Sequence, residues 1–448
     1  MATSEDEYEL RVFKPRKSHT KSRNGCLASD TLAATELDLL ARYLTHTSHI
    51  IPVDDVDVYA LQVGIPNLAF ASQPLMNSVL ALAAVCRCHE ILKLPHLTWS
   101  DWRQLEDLLA LANSRYESSL RQIQDISCAS NQDDCILANA TLMVLYGSAS
   151  HSLRIRLAEP SRPHGHLSMD LAPAPLQWTY LIRAAHLAYT GLLHCNSHDS
   201  DVDSIDEPEL PITSTAAVSP DSGYDERSVE SALVAPMETM GLMQSIITAT
   251  SKVALAELAG RLQTASDADE LAPSTLSCCT KAFTVLCSIF NVVTSAKHQT
   301  LRGEVNSPRI PQKSRLAAVS PWLRTYVARV TSAVPQKQLR RIITSFLNRV
   351  PMEFLELVHE SVDDPMTEYG CTAASQIALD IFAHWLVLVT LLEDVWWIGG
   401  IGEWELERTV NRFKELHSDF GIECSWWPER MLEIRRVPLD DGEMTSVR

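Results

Sequence analysis

Apolar residues recur at steps of three and four positions along most of this 448-residue sequence. That spacing places side chains on one face of an α-helix. Residues 74–93 open with proline and are apolar over most of a helix circumference, which is typical of a helix surrounded by other helices. We find no polar and apolar alternation long enough for a strand, so the sequence predicts an all-α fold. The clearest stripe, in residues 98–125, holds Trp102, Leu105, Leu109, Ala112, Tyr116, Leu120 and Ile123.

The remaining helices are predicted from the same periodicity. The chain is expected to become helical at Asp30, and a short loop is expected through Pro52 and the acidic residues after it. Pro335 should divide one long helical stretch, because proline removes a backbone donor and clashes with the preceding turn. Further helices are expected at 132–150, 176–195, 232–263, 272–297, 321–349, 352–361, 371–398 and 403–418.

Two segments differ in composition from this helical background. The first 29 residues include a basic arm, and residues 196–230 hold ten acidic residues, three prolines and a single arginine. Such segments bury too little apolar surface to offset the entropy of ordering, so both are expected to be disordered. The sequence therefore predicts an arm (1–29), a helical region (30–195), an acidic linker (196–230), a second helical region (231–435) and a tail (436–448).

Charge and cysteine usage restrict the function classes. The net charge of −18 and the pI near 5.3 mean that the body repels phosphate, so contact with nucleic acid needs a local basic element. Eleven cysteines lie at irregular spacing without a Cys-x-x-Cys pair, which favours a reducing compartment. The acidic start does not suit a secretory signal. The apolar runs 79–86 and 385–392 are too short to cross a bilayer, so no membrane span is expected.

Motifs of catalysis are weak, and we expect no enzyme. Carboxylates at 53–58 and 362–368 invite comparison with the magnesium sites of class I terpene cyclases, but the first group is expected in a loop, Pro365 breaks the second, and the partner motif is absent. The histidine groups at 164–166 and 194–199 lack the further ligands that a metal needs. No nucleophile elbow or phosphate-binding loop is found.

The N-terminal arm carries six lysine or arginine residues and no acid between Leu10 and Ser29. From composition alone it is either a phosphate-attracting or nuclear-import tail, or a solvated terminus without function. Its order, RKSHTKSRNGCL (16–27), resembles the start of the Zn2Cys6 cluster of fungal transcription factors. The resemblance implies a nuclear protein, with Cys26 at the first-ligand position. It also implies DNA contacts or nuclear import through Arg16, Lys17, His19, Lys21 and Arg23.

The zinc cluster itself is incomplete. Two zinc ions are held by six thiolates in that family, and metal binding supplies the folding energy. The next cysteine after Cys26 is Cys86, so five of the six ligands are missing. We therefore expect no cofactor in this form, although intact family members hold zinc, and DNA binding only if the cluster is restored. The alternative is that splicing or gene prediction removed the missing cysteines directly after Leu27.

Two further stretches carry the resemblance. Residues 36–92, with the PNLAF turn and the helix LMNSVLALAA, look like the start of the regulatory domain in the sterol-uptake-control branch of the family. Residues 384–410, with WWIGGIG, look like its closing helices. The resemblance implies an all-α effector domain that responds to a hydrophobic ligand, a sterol being the known example. It also implies dimers, with itself or with related regulators, and co-regulator partners.

The closing segment has a physical interpretation of its own. Gly399, Gly400 and Gly402 follow an apolar helix, so they are expected to end it with a left-handed cap and to permit close backbone approach. The indoles of Trp385, Trp396, Trp397 and Trp404 are expected to line an apolar ligand pocket and to present N–H donors to a hydroxyl. The alternative is a tryptophan-packed helix hairpin without a ligand. Overall the sequence favours a transcription regulator acting through its effector domain, and the alternative is a standalone sterol- or lipid-binding module.

Overall fold

The computed structural model describes residues 33–126, 132–158, 173, 176–194, 237–268, 270–295, 314–334, 338–363, 372–417 and 426–436. Within these ranges every regular element is helical and no strand occurs. The predicted all-α fold is therefore confirmed. The predicted arm at 1–29 and the linker at 196–230 lie outside the described residues, and so does the predicted tail at 436–448 except for Arg436, which ends the last helix.

The chain begins with two helices that are each interrupted by a wider π-helical turn. The first comprises α1 (Ala34–Arg42), the π turn Tyr43–Thr47 and α2 (Ser48–Ile50), and the second comprises α3 (Asp55–Tyr59), the π turn Ala60–Gly64 and α4 (Ile65–Ala71). The Tyr43 hydroxyl donates to the carbonyl of Leu61 at 3.2 Å, which ties the two π turns together.

The loop predicted around the acidic residues after Pro52 is wrong in part. Asp54 is the N-cap of α3, and its carboxylate accepts hydrogen bonds from the backbone N–H groups of Val56 and Asp57, both at 3.1 Å. Aspartate is among the best N-cap residues because it satisfies N–H groups that have no partner inside the helix. A cluster of acids after proline is therefore a helix start here.

Four long helices follow: α5 (Gln73–Leu92), α6 (Trp99–Ile126), α7 (Asp133–Leu157) and α8 (Gln177–His194). α5 packs against both α6 and α7 and is buried around nearly its whole circumference, as predicted. On α6, Leu105, Leu109 and Ala112 of the predicted stripe are buried, whereas Leu120 is 37% exposed. Tyr116 also packs against the core and stacks on Tyr146, so the stripe contacts the core as far as Tyr116.

Every regular element in the described parts of the second region is also helical. The predicted break near Pro335 is confirmed: α11 ends at Val330 and α12 starts at Leu339, with residues 335–337 outside the described ranges. A final helix was not predicted. The helices are α9 (Met237–Asp267), α10 (Pro273–Thr294), α11 (Pro321–Val330), α12 (Leu339–Arg349), α13 (Met352–Asp363), α14 (Ala373–Val389), α15 (Ile401–His417) and α16 (Trp427–Arg436).

One hydrophobic core joins the two predicted helical regions. Buried residues from Leu39 to Leu432 belong to a single cluster. Polar contacts also cross between the regions: Arg329 pairs with Asp54 at 2.7 Å, and the Ser152 hydroxyl donates to the carbonyl of Gly399. The two regions therefore fold against each other and share one interior.

Among the described residues, three helical stretches are long and apolar enough to cross a membrane, judged by length and composition only: Gln73–Leu92, Pro273–Thr294 and Ala373–Leu392. The first and third contain the apolar runs 79–86 and 385–392. These runs are too short to span a bilayer, but the helical stretches that contain them are long enough. In the folded chain, 89% of the most apolar window of each of these two is buried by other parts of the protein. The corresponding share for Pro273–Thr294 is 39%.

Candidate functional site

The predicted N-terminal site lies outside the described residues. This applies to Arg16, Lys17, His19, Lys21, Arg23 and Cys26. The next cysteines along the chain, Cys86 and Cys88, are fully buried on α5, and burial raises the pKa of both thiols, that of Cys88 to about 12. Buried, protonated thiols in a packed helix are poor substitutes for the missing ligands. These two cysteines, the next ones in the described part of the chain, do not fit the missing positions of a six-thiolate zinc cluster.

The glycine turn between α14 and α15 has the close backbone approach that the sequence predicts, but the predicted left-handed cap of the apolar helix is wrong. α14 ends at Val389 with Thr390 in a right-handed conformation, and the left-handed glycine directly precedes α15. Gly400 has φ of +84°, which side chains other than hydrogen disfavour. A Cβ on Gly402 would lie 2.6 Å from the backbone nitrogen of Thr390, and one on Gly399 would lie 2.2 Å from the carbonyl oxygen of Glu393. The turn therefore folds back tightly on the end of α14.

A buried glutamate directly after this turn holds three helices together. The Glu405 carboxylate on α15 is inaccessible to solvent and accepts hydrogen bonds from the Trp178 indole at 3.0 Å and from the backbone N–H of Leu176 at 3.1 Å. His151 Nε2 on α7 lies 3.3 Å from the same oxygen, and Arg408 Nη1 lies 3.7 Å from the other. Sequence reasoning missed Glu405, because a glutamate at the start of an amphipathic helix is usually solvated.

The four tryptophans of the predicted pocket have different surroundings. Trp385 is fully buried and stacks on Phe346, with ring centroids 5.0 Å apart, and its indole donates to the carbonyl of Ile343 at 2.9 Å. Trp404 is partly exposed and contacts the edge of His151. Among the described residues, no ring contact joins any two of these four indoles.

Trp396 and Trp397 are the two with unused donors. Each is more than nine-tenths buried, and neither indole N–H has a hydrogen-bond partner in the described part of the chain. The Trp396 ring lies 5.7 Å from that of His89, whose Nε2 is also without a partner. Burial, with Arg156 and Lys93 nearby, lowers the pKa of His89 to about 3, so this imidazole is neutral in the folded protein.

Trp397 lies on the wall of a cavity of about 60 Å³ between the first helices and α7, α11 and α12. Charged and hydroxyl groups share this wall with apolar ones, so it differs from the apolar pocket that the sequence predicts. The lining residues that bear polar groups are Asp57, Thr141, Tyr326, Arg340, Arg341, Thr344 and Trp397.

Buried ion pairs organise the cavity. Arg341 is hydrogen bonded to Asp57, and Arg340 lies 3.8 Å from the same carboxylate and 5.9 Å from the centre of the Trp397 ring. Burial raises the pKa of Asp57, and Arg341 opposes that shift. Burial also lowers the pKa of Arg340 to about 10, against the pull of Asp57. Arg340 therefore remains charged near neutral pH.

The same contacts explain the acidic residues considered as a magnesium site. The Asp54 carboxylate caps α3 and pairs with Arg329, and Asp57 pairs with Arg341. Carboxylates that already bind guanidinium groups are poor ligands for a cation. In the second acidic group, Asp363 ends α13, and residues 364–368 lie outside the described ranges.

In the described ranges, one cluster has the ligand types to hold a metal ion. His46, Cys86 and Glu90 offer ligand atoms within 4.8 Å of one another. Burial lowers the pKa of His46 and raises that of Cys86, so the imidazole is neutral and the thiol protonated. Glu90 is paired with Arg42 and with Arg87 at 3.4 Å. A metal ion would have to displace these cations and the thiol proton, and the cluster serves as an ion-pair junction between α1 and α5.

Two other cavities were not expected from the sequence. A cleft of about 490 Å³ lies between the start of α5 and the start of α7. Two carboxylates line it: Asp133 accepts a hydrogen bond from Arg315, and Asp134 accepts one from Ser320. A smaller cavity of about 120 Å³ lies between α6, α7 and α8 and is lined by Tyr116, Tyr146, His151 and Trp178 among others.

Comparison with known proteins adds no relative. No protein-family model, no curated protein and no solved structure matches the chain. The family resemblance therefore rests on the motifs in residues 16–26, 36–92 and 384–410. The all-α fold, the buried Glu405 and the charged cavity beside Trp397 rest on the structure.

Proposed function

We propose that this chain is a nuclear transcription regulator of the fungal zinc-cluster type that acts through its helical effector domain. In this form it would bind neither zinc nor a specific DNA sequence, because Cys26 is the only residue at a ligand position of the cluster. Its partners would be copies of itself, related regulators or co-regulator proteins. A membrane span and an enzymatic activity form no part of this proposal.

The observation that supports it most is the position of the WWIGGIG segment. The resemblance to regulatory domains is most specific in this segment, and its turn makes contacts far along the chain. Ser152 on α7 donates to Gly399, and Glu405 links the following helix to Trp178 on α8. A motif that organises the interior in this way is expected wherever the same helical domain is used.

The proposal is tested by overexpressing the chain in a fungal host that carries a reporter driven by an intact zinc-cluster regulator. Competition for dimer or co-regulator contacts should change reporter output several-fold. A variant with Arg16, Lys17, Lys21 and Arg23 replaced by alanine should leave the nucleus and lose the effect, since a basic cluster is the expected import signal. Unchanged output with the unmodified chain would count against the proposal.

Transcript sequencing across the codons for Cys26 and Leu27 separates the two origins of the incomplete cluster. Contiguous codons in every transcript mean that the cell makes a regulator without a DNA-reading head. An insert that encodes the five missing cysteines means that the native protein binds zinc and DNA directly. The effector role is proposed in both cases.

The second candidate is a sterol- or lipid-binding module without a transcriptional role. The observation that favours it is that the buried indole N–H groups of Trp396 and Trp397 have no partner among the described residues, so each is available to donate a hydrogen bond to a sterol hydroxyl. Drug-sized ligands occupy roughly 300–1,000 Å³, so the cavity of about 60 Å³ would have to open. Saturable binding of a fluorescent sterol that is lost in Trp396→Phe and Trp397→Phe would support this candidate, and no saturable binding would remove it.

A further inference from the structure

The charges around the cavity beside Trp397 do not cancel. Arg329, Arg340 and Arg341 face the two carboxylates of Asp54 and Asp57. Asp57 serves both Arg340 and Arg341, and Asp54 serves Arg329 at 2.7 Å and Arg341 at 3.9 Å. Within the described part of the chain, one guanidinium charge of this group is left without a matching carboxylate. The Arg340 side chain is 15% exposed and that of Arg329 18%, so this surplus charge is largely withdrawn from water, which is unfavourable.

Two N–H groups on the wall of this cavity also have no acceptor. They are Arg341 Nη1 and the indole N–H of Trp397. The residues Arg341 and Trp397 are 8% and 7% exposed, respectively. Buried donors almost always find a partner, so two of them on one small cavity indicate that something else accepts their hydrogen bonds. Arg340 lies over the face of the Trp397 ring, and its guanidinium also donates to the carbonyl of Ile51.

The volume limits what that acceptor can be. One water molecule needs roughly 10–15 Å³ of cavity volume. The cavity of about 60 Å³ therefore holds a few waters or one small polyatomic ion. Waters would accept the hydrogen bonds but would leave the surplus charge in place. A small anion with several oxygens satisfies the donors and the charge together, because guanidinium groups bind carboxylate and phosphate oxygens in a fixed fork geometry.

We propose that this cavity binds a small oxyanion, held by Arg340, Arg341 and the indole N–H of Trp397. The shared chemistry is a compact group with oxygens that accept from these donors, as in inorganic phosphate or a short carboxylate. The site joins α3, α11, α12 and the turn before α15, so an occupied cavity would tie the N-terminal helices to the closing segment. The inference goes beyond the proposed function and does not depend on it, because binding is measured on the purified chain.

The test is thermal unfolding of the full chain, titrated with potassium phosphate or potassium acetate against potassium chloride at constant ionic strength. We expect phosphate, acetate or both to raise the unfolding temperature saturably by several degrees, and the more effective salt identifies the source of the oxyanion. A shift no larger than that in chloride for both salts would overturn the proposal and leave a water-filled cavity.

Variants locate the site. Trp397→Phe keeps an aromatic ring, although a smaller one, and removes the donor, so the apparent dissociation constant should rise about tenfold. Arg340→Met removes the surplus charge and should abolish the saturable shift. The matched control is Trp427→Phe, since the Trp427 indole donates to Thr250 at 2.9 Å and lies outside the cavity wall. Equal shifts in the unmodified chain and in Trp397→Phe would overturn the assignment, even if Arg340→Met fails to fold.

Discussion

Glu405 on α15 and Trp178 on α8 are joined by a buried hydrogen bond of 3.0 Å, from the indole N–H to a carboxylate that solvent does not reach. The two residues are far apart in sequence and belong to the two different regions that the sequence predicts. The bond therefore closes the interior between those regions, and the same carboxylate also binds the backbone N–H of Leu176.

Replacement of Glu405 should lower stability strongly. Glu405→Ala leaves two buried donors without an acceptor, and we expect a loss of about 3 kcal/mol in the free energy of unfolding. Glu405→Gln keeps an oxygen for the same donors and should lose about 1 kcal/mol. Urea denaturation measures both, with Glu433→Gln on the exposed face of α16 as the control, expected within about 0.5 kcal/mol of the unmodified chain. Equal stability of Glu405→Ala and the unmodified chain would rule out this role.

Replacement by alanine should change the free energy of unfolding in opposite directions at Gly402 in the glycine turn and at Gly260 in α9. Gly402→Ala would force Cβ against the backbone of Thr390, so we expect a loss of about 2 kcal/mol or more. Gly260→Ala lies in the interior of α9 with no atom within 4 Å of its added Cβ, and alanine is the better helix former, so a gain of about 0.5–1 kcal/mol is expected. Denaturation midpoints of the two variants, compared with that of the unmodified chain, measure both changes. A neutral Gly402→Ala would show that the turn is not tight.

The ion pair between Asp57 and Arg341 should show strong coupling. Asp57→Asn leaves buried Arg341 with one fewer opposite charge and should cost about 3 kcal/mol, and Asp57→Asn with Arg341→Met should recover part of that loss. The neighbouring exposed Asp55→Asn is the matched control, with an expected change of only a few tenths of a kcal/mol. Additive effects of the two single substitutions would contradict the pairing.

The buried, neutral imidazole of His89 should make the free energy of unfolding sensitive to acid. Burial lowers the pKa of His89 to about 3 in the folded state, and the unfolded value is about 6.5. The unfolded chain therefore binds more protons below pH 6.5, so this contribution is complete above that pH and is lost as the pH falls toward 3. Its slope is at most about 1.4 kcal/mol per pH unit.

The free energy of unfolding measured between pH 7 and 5 tests this contribution. His89→Gln should have a shallower pH dependence than the unmodified chain, because glutamine does not titrate in that interval. His96→Gln on an exposed turn is the control for replacing a histidine as such. Parallel profiles for His89→Gln and the unmodified chain would show that the buried imidazole does not contribute.

The spacing of apolar residues predicted the helices well where a helix is buried on all sides or along one face. α5 and the first part of α6 have the expected faces, and the interruption around Pro335 is present. Elements whose start depends on one side chain were missed. Asp54 turns an acidic cluster into a helix by capping it, and nothing in the spacing of apolar residues signals that choice.

The candidate site was predicted less completely than the fold. The three glycines have local signatures, since their conformations follow from backbone sterics near one turn. The partners of the tryptophans come from distant helices: Trp385 meets Phe346 and Trp178, whereas Trp397 meets Arg340. Contacts between residues so far apart in sequence depend on how helices pack, which single-helix patterns do not encode.

The most direct test of the central claim is to fuse the full chain to a heterologous DNA-binding domain and to measure a reporter that carries the matching sites. The account predicts output several-fold above or below that of the DNA-binding domain alone, retained in Gly260→Ala and lost in Glu405→Ala at equal protein level. Output equal to that of the DNA-binding domain alone, with the fused chain folded and present in the nucleus, would contradict an effector role in transcription.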